Sequence, residues 1–153
     1  KLAKPGDVIV VDAGDYTEQG AFGDVMATSA LSLGIGGLVT NGGIRDAEAI
    51  RDLGFPIFSR SISIKGTIKA ALGDINQPIV FGGVSINPGD LVLGDDDGIV
   101  VIPREEIDTV LSESRKRDDK ETAIRARLAA GETTWDISNF NALLKRIGVD
   151  IEL

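Results

Sequence analysis

Two short stretches, Ala21-Phe22-Gly23-Asp24-Val25-Met26 and Gly42-Gly43-Ile44-Arg45-Asp46, carry the residue types in this chain best suited to chemistry. The first reads as the start of a helix. N–H groups in a first helical turn lack intrahelical acceptors, so those at Gly23, Asp24, Val25 and Met26 could hold a small carboxylate. The second stretch supplies Arg45, a permanent cation whose paired donors can grip a carboxylate or a keto oxygen. Beside it stands Asp46, a hard oxygen ligand for a divalent ion. Together these groups suggest a metal-assisted site for an oxo acid.

Each motif alone has a plainer explanation. A Gly-Asp pair ahead of a helix is commonly just its cap, and an Asp such as Asp46 commonly caps its own helix while the adjacent Arg lies in solvent. What favours chemistry is placement: in a wound sheet, ligands sit beyond the carboxyl ends of strands, where helix N-termini also gather, and both stretches belong at such ends. Other candidates read as structural. Asp95-Asp96-Asp97-Gly98 lacks the later ligands of a calcium loop and reads as a solvated hairpin turn. Lys65 and Lys69 could form a Schiff base but read as surface lysines, and Gly82-Gly83, without a following Lys-Ser/Thr, reads as a tight strand connection.

Composition narrows the chemistry further. The chain has neither His nor Cys, which removes imidazole acid–base catalysis, thiolate chemistry, disulfides and zinc-thiolate sites, and permits a cytoplasmic home. Only carboxylates, Arg, Lys, hydroxyls, backbone amides, water or a hard metal remain. With 16 basic against 24 acidic residues the net charge is −8, so neither nucleic acid nor an anionic membrane finds a broad complementary surface. A small anionic substrate would need a local cationic pocket. No apolar run approaches membrane-spanning length, and Lys1-Leu2-Ala3-Lys4-Pro5 lacks the hydrophobic segment of a secretory signal. The chain lacks an initial Met and enters a strand pattern almost at once, which leaves room for an upstream segment.

At 153 residues and 42% hydrophobic content, one well-buried domain is expected. Pro5-Gly6-Asp7 is a turn signature, and Val8-Ile9-Val10-Val11 is a β-branched strand ending at Asp12-Ala13-Gly14-Asp15. Val25 to Leu33, closed by Gly34, reads as a helix, and Gly36 to Thr40 as a strand. After a Gly42-Gly43 loop, Asp46 to Leu53 reads as helix, Gly54 as its stop and Phe55 to Ser59 as the next strand. That alternation predicts parallel pairing. Ile79-Val80-Phe81, Val84-Ser85-Ile86, Leu91-Val92-Leu93 and Ile99 to Ile102 read as an antiparallel meander, with Pro88-Gly89-Asp90 echoing the first turn. From Pro103 a long helix is expected, with a polar middle from Ser112 to Thr122 that either projects into solvent or meets another subunit. The tail containing Trp135, Phe140 and Leu144 is expected to dock on its own core or on a neighbour.

The two opening motifs, followed in order by Phe81-Gly82-Gly83-Val84, Pro88-Gly89-Asp90 and Asp95 to Pro103, resemble the 4-hydroxy-4-methyl-2-oxoglutarate aldolase family, which includes the RraA-like proteins. The resemblance covers roughly Pro5 to Pro103. It implies an α/β fold of the swivelling β/β/α type, with a mixed sheet and a long C-terminal helix. On this basis 1–131 forms that domain and 132–153 a docking tail, in a homotrimer or homohexamer. It also implies a divalent-metal lyase, using Mg2+ or Mn2+, that cleaves 4-hydroxy-2-oxo acids to pyruvate, with oxaloacetate decarboxylation as a related activity. Carried over by position, Gly23, Asp24, Val25 and Met26 would bind the pyruvyl carboxylate through backbone amides. Arg45 would contact substrate oxygens and the enolate, Asp46 would bind the metal, and Asp24 would orient a water on it. Asn41 stands where many members have Asp, which implies altered water structure near the metal. Two competing readings are a non-catalytic regulator resembling the ribonuclease E inhibitor branch of the same fold, and an oxo-acid sensor without turnover.

Overall fold

The computed structural model describes residues 2–14, 16–70 and 72–149. Lys1, Asp15 at the expected end of the first strand, and the end of the tail from Asp150 lie outside the described residues. The chain forms two compact units, Lys1–Arg104 and Glu105–Leu153.

In the first unit, β1 (Val8–Val11), β2 (Gly20–Phe22), β3 (Gly37–Ile44) and β4 (Ile57–Ile62) form one parallel sheet, as the strand–helix–strand alternation predicts. Between them run α1 (Asp24–Ser32) and α2 (Ala47–Asp52). Strand β4 pairs with β3 from Leu38 to Ile44, so β1 and β2 share the opposite edge of β3. Strand β1 takes the first half, with Val8 opposite Gly37 and Val11 opposite Thr40. Strand β2 takes the end, with Gly20 opposite Gly43 and Phe22 opposite Ile44. The chain between them loops out and returns to the same edge. As a result β2 and β3 finish side by side, and the residues that follow each strand emerge as neighbours.

The core lies on the face covered by α1 and α2. Ala27 and Ala30 of α1 and Ile50 of α2 pack with Phe22, Ile35, Leu38, Ile44 and Phe55, and the Phe22 and Phe55 rings stack at 5.9 Å. Alanine on α1 keeps that helix close to the sheet. Helix α1 ends where Gly34 adopts φ +69° and α2 where Gly54 adopts φ +69°, the left-handed stops expected from the sequence.

The Gly42-Gly43 pair is not a loop. Strand β3 runs through it to Ile44, with only a register irregularity between Thr40 and Gly43. Neither glycine has a positive φ, and their role is close approach. A Cβ on Gly43 would fall 2.5 Å from the Gln19 carbonyl and 2.8 Å from Ser61 Oγ, and one on Gly42 2.7 Å from Ala13 Cβ. Strand β4 also starts later and runs further than expected, because Phe55 is spent in the core.

The expected meander is instead two separate hairpins: β5 (Ile79–Phe81) with β6 (Val84–Ile86), and β7 (Leu91–Asp95) with β8 (Gly98–Ile102). Gly82 and Gly83 turn the first with φ +57° and +82°. The second turns at Asp96-Asp97, where Asp95 Oδ1 accepts from the N–H groups of Asp97 (2.9 Å) and Gly98 (3.2 Å), so that motif is a self-bonded hairpin turn. Between the hairpins, Pro88-Gly89-Asp90 repeats the geometry of Pro5-Gly6-Asp7. The Asp carboxylate accepts from the N–H three residues back at 2.8 Å in both turns, with Gly at φ +99° and +89°.

A 3-10 turn at Arg104–Glu106 leads into α3 (Ile107–Ala129) of the second unit, and Gly131 stops it at φ +96°. The helix thus starts a few residues after Pro103. Two short helices follow, α4 (Thr134–Ile137) and α5 (Phe140–Arg146), joined by a Trp135–Phe140 ring contact at 5.4 Å and a Trp135 Nε1 bond to Asn141 Oδ1. Among the described residues no helix is long and apolar enough to cross a membrane.

The glycine packing makes a simple prediction. Gly43→Ala should cost about 1–3 kcal/mol through overpacking, read as a lower urea midpoint at unchanged slope. Gly66→Ala, which faces open space at an ordinary φ, should stay within about 0.5 kcal/mol of the parent.

Candidate functional site

The ends of β2 and β3 bring the two sequence motifs together. Gly23 is the N-cap of α1, buried and extended at φ −139°, and a Cβ there would lie 2.5 Å from Asp46 Oδ2 and 2.9 Å from Arg45 Nε. Glycine is what allows the carboxylate and the guanidinium to reach the first turn of α1. The start of α1, the Arg45 guanidinium and the Asp46 carboxylate therefore lie next to one another.

Asp46 sits in a strained position. It is the N-cap of α2 at φ +57°, a left-handed conformation that Asp tolerates better than most residues. Its side chain makes no cap bond to its own helix. Instead Oδ2 accepts the Asp24 N–H of α1 at 3.3 Å and lies 3.4 Å from Arg45 Nε. The plain capping explanation therefore fails for Asp46. A side chain turned off its own helix by backbone strain is the kind of outlier that clusters at functional sites.

Arg45 is not free in solvent either. Its side chain is about one-third exposed, and its Nη1 donates to the Gly20 carbonyl at 2.8 Å, while its own N–H donates to the Phe22 carbonyl. The Gly20 N–H in turn donates to the Lys65 carbonyl at 2.7 Å. Gly20 is thus a positioning residue that the motif reading missed. The available signal was a glycine inside a short strand, in register with Gly43, since such glycines mark close approach of another group.

The amide row is already in use by the chain itself. Asp24 N–H is taken by Asp46, Val25 N–H donates to Asp24 Oδ1 at 2.7 Å, and Met26 N–H closes a turn onto the Gly23 carbonyl at 3.0 Å. Two of the four N–H groups thus already hold carboxylate oxygens. That is the ligand type a helix N-terminus favours. The Val25 and Met26 side chains are exposed, so an incoming anion has access to this end of the helix.

The donor set suits a hard ion. Asp46 and Asp24 offer carboxylate oxygens, and Mg2+ commonly needs only one or two protein carboxylates with water and substrate completing its shell. No group of three or more His, Cys, Asp or Glu able to hold a metal occurs among the described residues. A site here would be of the open, substrate-completed type.

Asn41 ties two strands' surroundings together. Its Oδ1 accepts the Ala13 N–H at 2.6 Å and its Nδ2 donates to Asp12 Oδ1 at 2.7 Å, clamping the loop between β1 and β2 onto β3. The Gly14 N–H and the Asn41 amide together hold the Asp12 carboxyl below its ordinary range. Ser61 Oγ and Ser63 Oγ bond the carbonyls of Thr17 and Glu18 in the same loop. Lys65 pairs with Glu18 at 3.2 Å on the surface, in keeping with its structural reading. A cleft of about 1180 Å³ borders Asn41, Phe55, Phe58 and Gly83. Gly23 to Met26, Arg45 and Asp46 do not line it.

Comparison with known proteins agrees with this architecture. The RraA-like family model (aldolase/RraA) matches residues 1–101. A relative from Halalkalibacterium halodurans, provisionally named a 4-hydroxy-4-methyl-2-oxoglutarate aldolase, is 48% identical over 126 residues, covering 81% of this chain and 60% of its own. A solved structure of an uncharacterized protein from Pseudomonas syringae superimposes with a TM-score of 0.82 at 30% identity, over 86% of this chain and 62% of that one. Streptomyces coelicolor RraAS2, described as an unusual member of the RNase ES inhibitor RraA protein family, aligns with a TM-score of 0.76 at 34% identity, covering 82% and 64%. The chain thus spans about three fifths of the length of the curated relatives it matches.

The Asn41 clamp is testable by pH. A carboxylate at this position could not donate to Asp12 and would repel it, so Asn41→Asp should lower Tm at pH 7. Because the Asp12 carboxyl is held low in the folded chain, its stabilising contribution is full above the unfolded pKa of about 3.9 and fades as pH falls through the lower folded value. The gap between Asn41→Asp and parent should therefore narrow in melts at about pH 3. A gap that is flat with pH would argue against the clamp.

Proposed function

The chain belongs to the RraA-like family, and from that premise we propose that it is a divalent-metal-dependent lyase that cleaves 4-hydroxy-2-oxo acids, such as 4-hydroxy-4-methyl-2-oxoglutarate, to release pyruvate. Oxaloacetate decarboxylation is the allied activity, since either reaction leaves the same pyruvate enolate. The observation that carries the reading is Asp46, whose carboxylate is turned off its own helix onto the first amide of α1 beside Arg45. The aldolase name of the 48% identical relative supports it. A homotrimer or homohexamer in the cytoplasm is part of the same proposal.

In this reading, the substrate's C1 carboxylate takes over the N–H groups of Asp24 and Val25 that Asp46 and Asp24 occupy in the free chain. The exchange replaces like with like, one carboxylate for another, so the helix end remains satisfied. It also frees both side chains. Asp46 would then hold the ion with Asp24 close by, and an ion bound there would supply Lewis-acid polarisation of the C2 keto oxygen. Arg45, fixed by Gly20 at Nη1, directs its remaining donors to the substrate oxygens, where negative charge grows as the C3–C4 bond breaks. Released Asp24 Oδ1 accepts the C4 hydroxyl proton through a water, so the leaving half departs as a carbonyl compound, and the same water returns a proton to C3 of the enolate to give pyruvate. No histidine or lysine is needed for any of these steps.

A second reading, a regulator of a ribonuclease, is favoured by the 34% identity to RraAS2. The enzyme reading places a demand on Asp46 that regulation does not. Purified protein with Mg2+ should release pyruvate from 4-hydroxy-4-methyl-2-oxoglutarate or oxaloacetate in a coupled assay, and chelation should stop it. Arg45→Ala should reduce kcat about 10²–10³-fold, and Asp46→Ala should abolish turnover while leaving the fold intact by circular dichroism. Activity that survives chelation overturns the metal chemistry. Ribonuclease inhibition without pyruvate release, retained in Asp46→Ala, would select the second reading.

A further inference from the structure

We propose that Asn41-Gly42 is a gated self-modification site, where Asn41 deamidates when the loop between β1 and β2 lifts off β3. The proposal stands apart from the lyase reading. Asn41 is the one asparagine in the sequence followed by glycine. A glycine presents no side chain to keep its nitrogen away from the preceding Asn Cγ. Packing fixes that glycine in place, because a Cβ on Gly42 would fall 2.7 Å from Ala13 Cβ.

The sheet does not hold this pair. In β3, Gly37 to Thr40 pair with β1, and Gly43 and Ile44 pair with β2. Strand β4 pairs with Leu38 to Thr40 and then with Gly43 and Ile44. Asn41 and Gly42 therefore fall in the gap of every register. Side-chain bonds hold them instead. Asn41 Nδ2 donates to Asp12 Oδ1 at 2.7 Å, Asn41 Oδ1 accepts the Ala13 N–H at 2.6 Å, and the Gly42 N–H donates to Thr40 Oγ1 at 3.0 Å. Thr40 is the one buried polar side chain among the described residues, and its oxygen occupies the N–H of the nitrogen that would attack. Asp12 and Ala13 occupy both polar atoms of the amide that would be attacked. Nucleophile and electrophile are each engaged while the loop is down, and the bonds to Asp12 and Ala13 are lost when it lifts.

The reaction needs only water. The Gly42 nitrogen bonds to Asn41 Cγ and gives up its proton as Nδ2 departs as ammonia, and water then opens the cyclic imide to aspartate or isoaspartate. Either product sets a carboxylate opposite Asp12, where Asn41 had donated. Two carboxylates repel, so the clamp does not re-form and the change runs one way. The loop leads into β2, where the Gly20 carbonyl holds Arg45 Nη1 at 2.8 Å.

Peptide mass mapping at a fixed pH reads the site directly. Conversion at Asn41 should be at least about tenfold slower in the folded chain than in urea, since it needs local opening. Asp12→Ala and Thr40→Val each remove one bond, and should convert roughly three- to tenfold faster than the parent. Circular dichroism checks that both remain folded. The converted fraction, separated by its added negative charge, should melt below the parent. Equal rates in the folded and unfolded parent, no conversion at Asn41 in urea, or a converted fraction that melts with the parent overturns the proposal. A rate unchanged in both folded variants overturns it too.

Discussion

The absence of side chains where β2, β3 and β4 end is the constraint on which the site depends. Gly20, Gly23 and Gly43 lie at that junction, and a Cβ on any one of them would collide with its neighbours. At Gly20 the obstacle is the Ser63 carbonyl and Arg45 itself, at Gly43 the Gln19 carbonyl, and at Gly23 the Asp46 carboxylate. Packing the three strands this closely brings the guanidinium and carboxylate that follow β3 against the helix that follows β2. Interiors packed at crystal-like density have little room to absorb even one added methyl, so the geometry of the site and the packing of the sheet cannot vary separately.

A second consequence concerns charge. Two carboxylates and one guanidinium share the space around a helix N-terminus, with the Asp24 and Asp46 oxygens on consecutive amides. This satisfies donors that would otherwise be orphaned at the start of the helix, so the arrangement costs little in stability. The strained φ of Asp46 is the residual cost, and it aims the carboxylate across the junction instead of along its own helix.

Much of this was legible in the residues. β-branched runs, glycine stops and strand–helix alternation marked β1, α1, β3, α2 and β4, because those elements obey local rules of period and capping. The pairing of Gly23 to Met26 with Arg45-Asp46 followed from the rule that helix N-termini gather at strand ends. What escaped was non-local. Gly42-Gly43 carries the composition of a turn, and only the proximity of Gln19 and Ser61 shows it to be strand. The division into two hairpins and the clamp of Asn41 on Asp12 depend on register and loop closure, which composition does not encode. The role of Gly20 escaped because its contribution is a backbone carbonyl, and carbonyls leave no trace in residue type.

The two units use charge in opposite ways. In the sheet unit, Arg45 is held at a fixed angle by backbone atoms, Gly20 at one end and Phe22 at the other, so its donors are pre-aligned. On α3, Arg117 and Arg125 are held only by side chains one helical turn or two away, all of them substantially exposed. Such pairs are worth little as stabilisers in water and can exchange partners at small cost. Charge anchored on backbone keeps one geometry, whereas charge held between exposed side chains does not. The sequence marks the difference through its neighbours, with glycines around Arg45 and alternating acids and bases around Arg117.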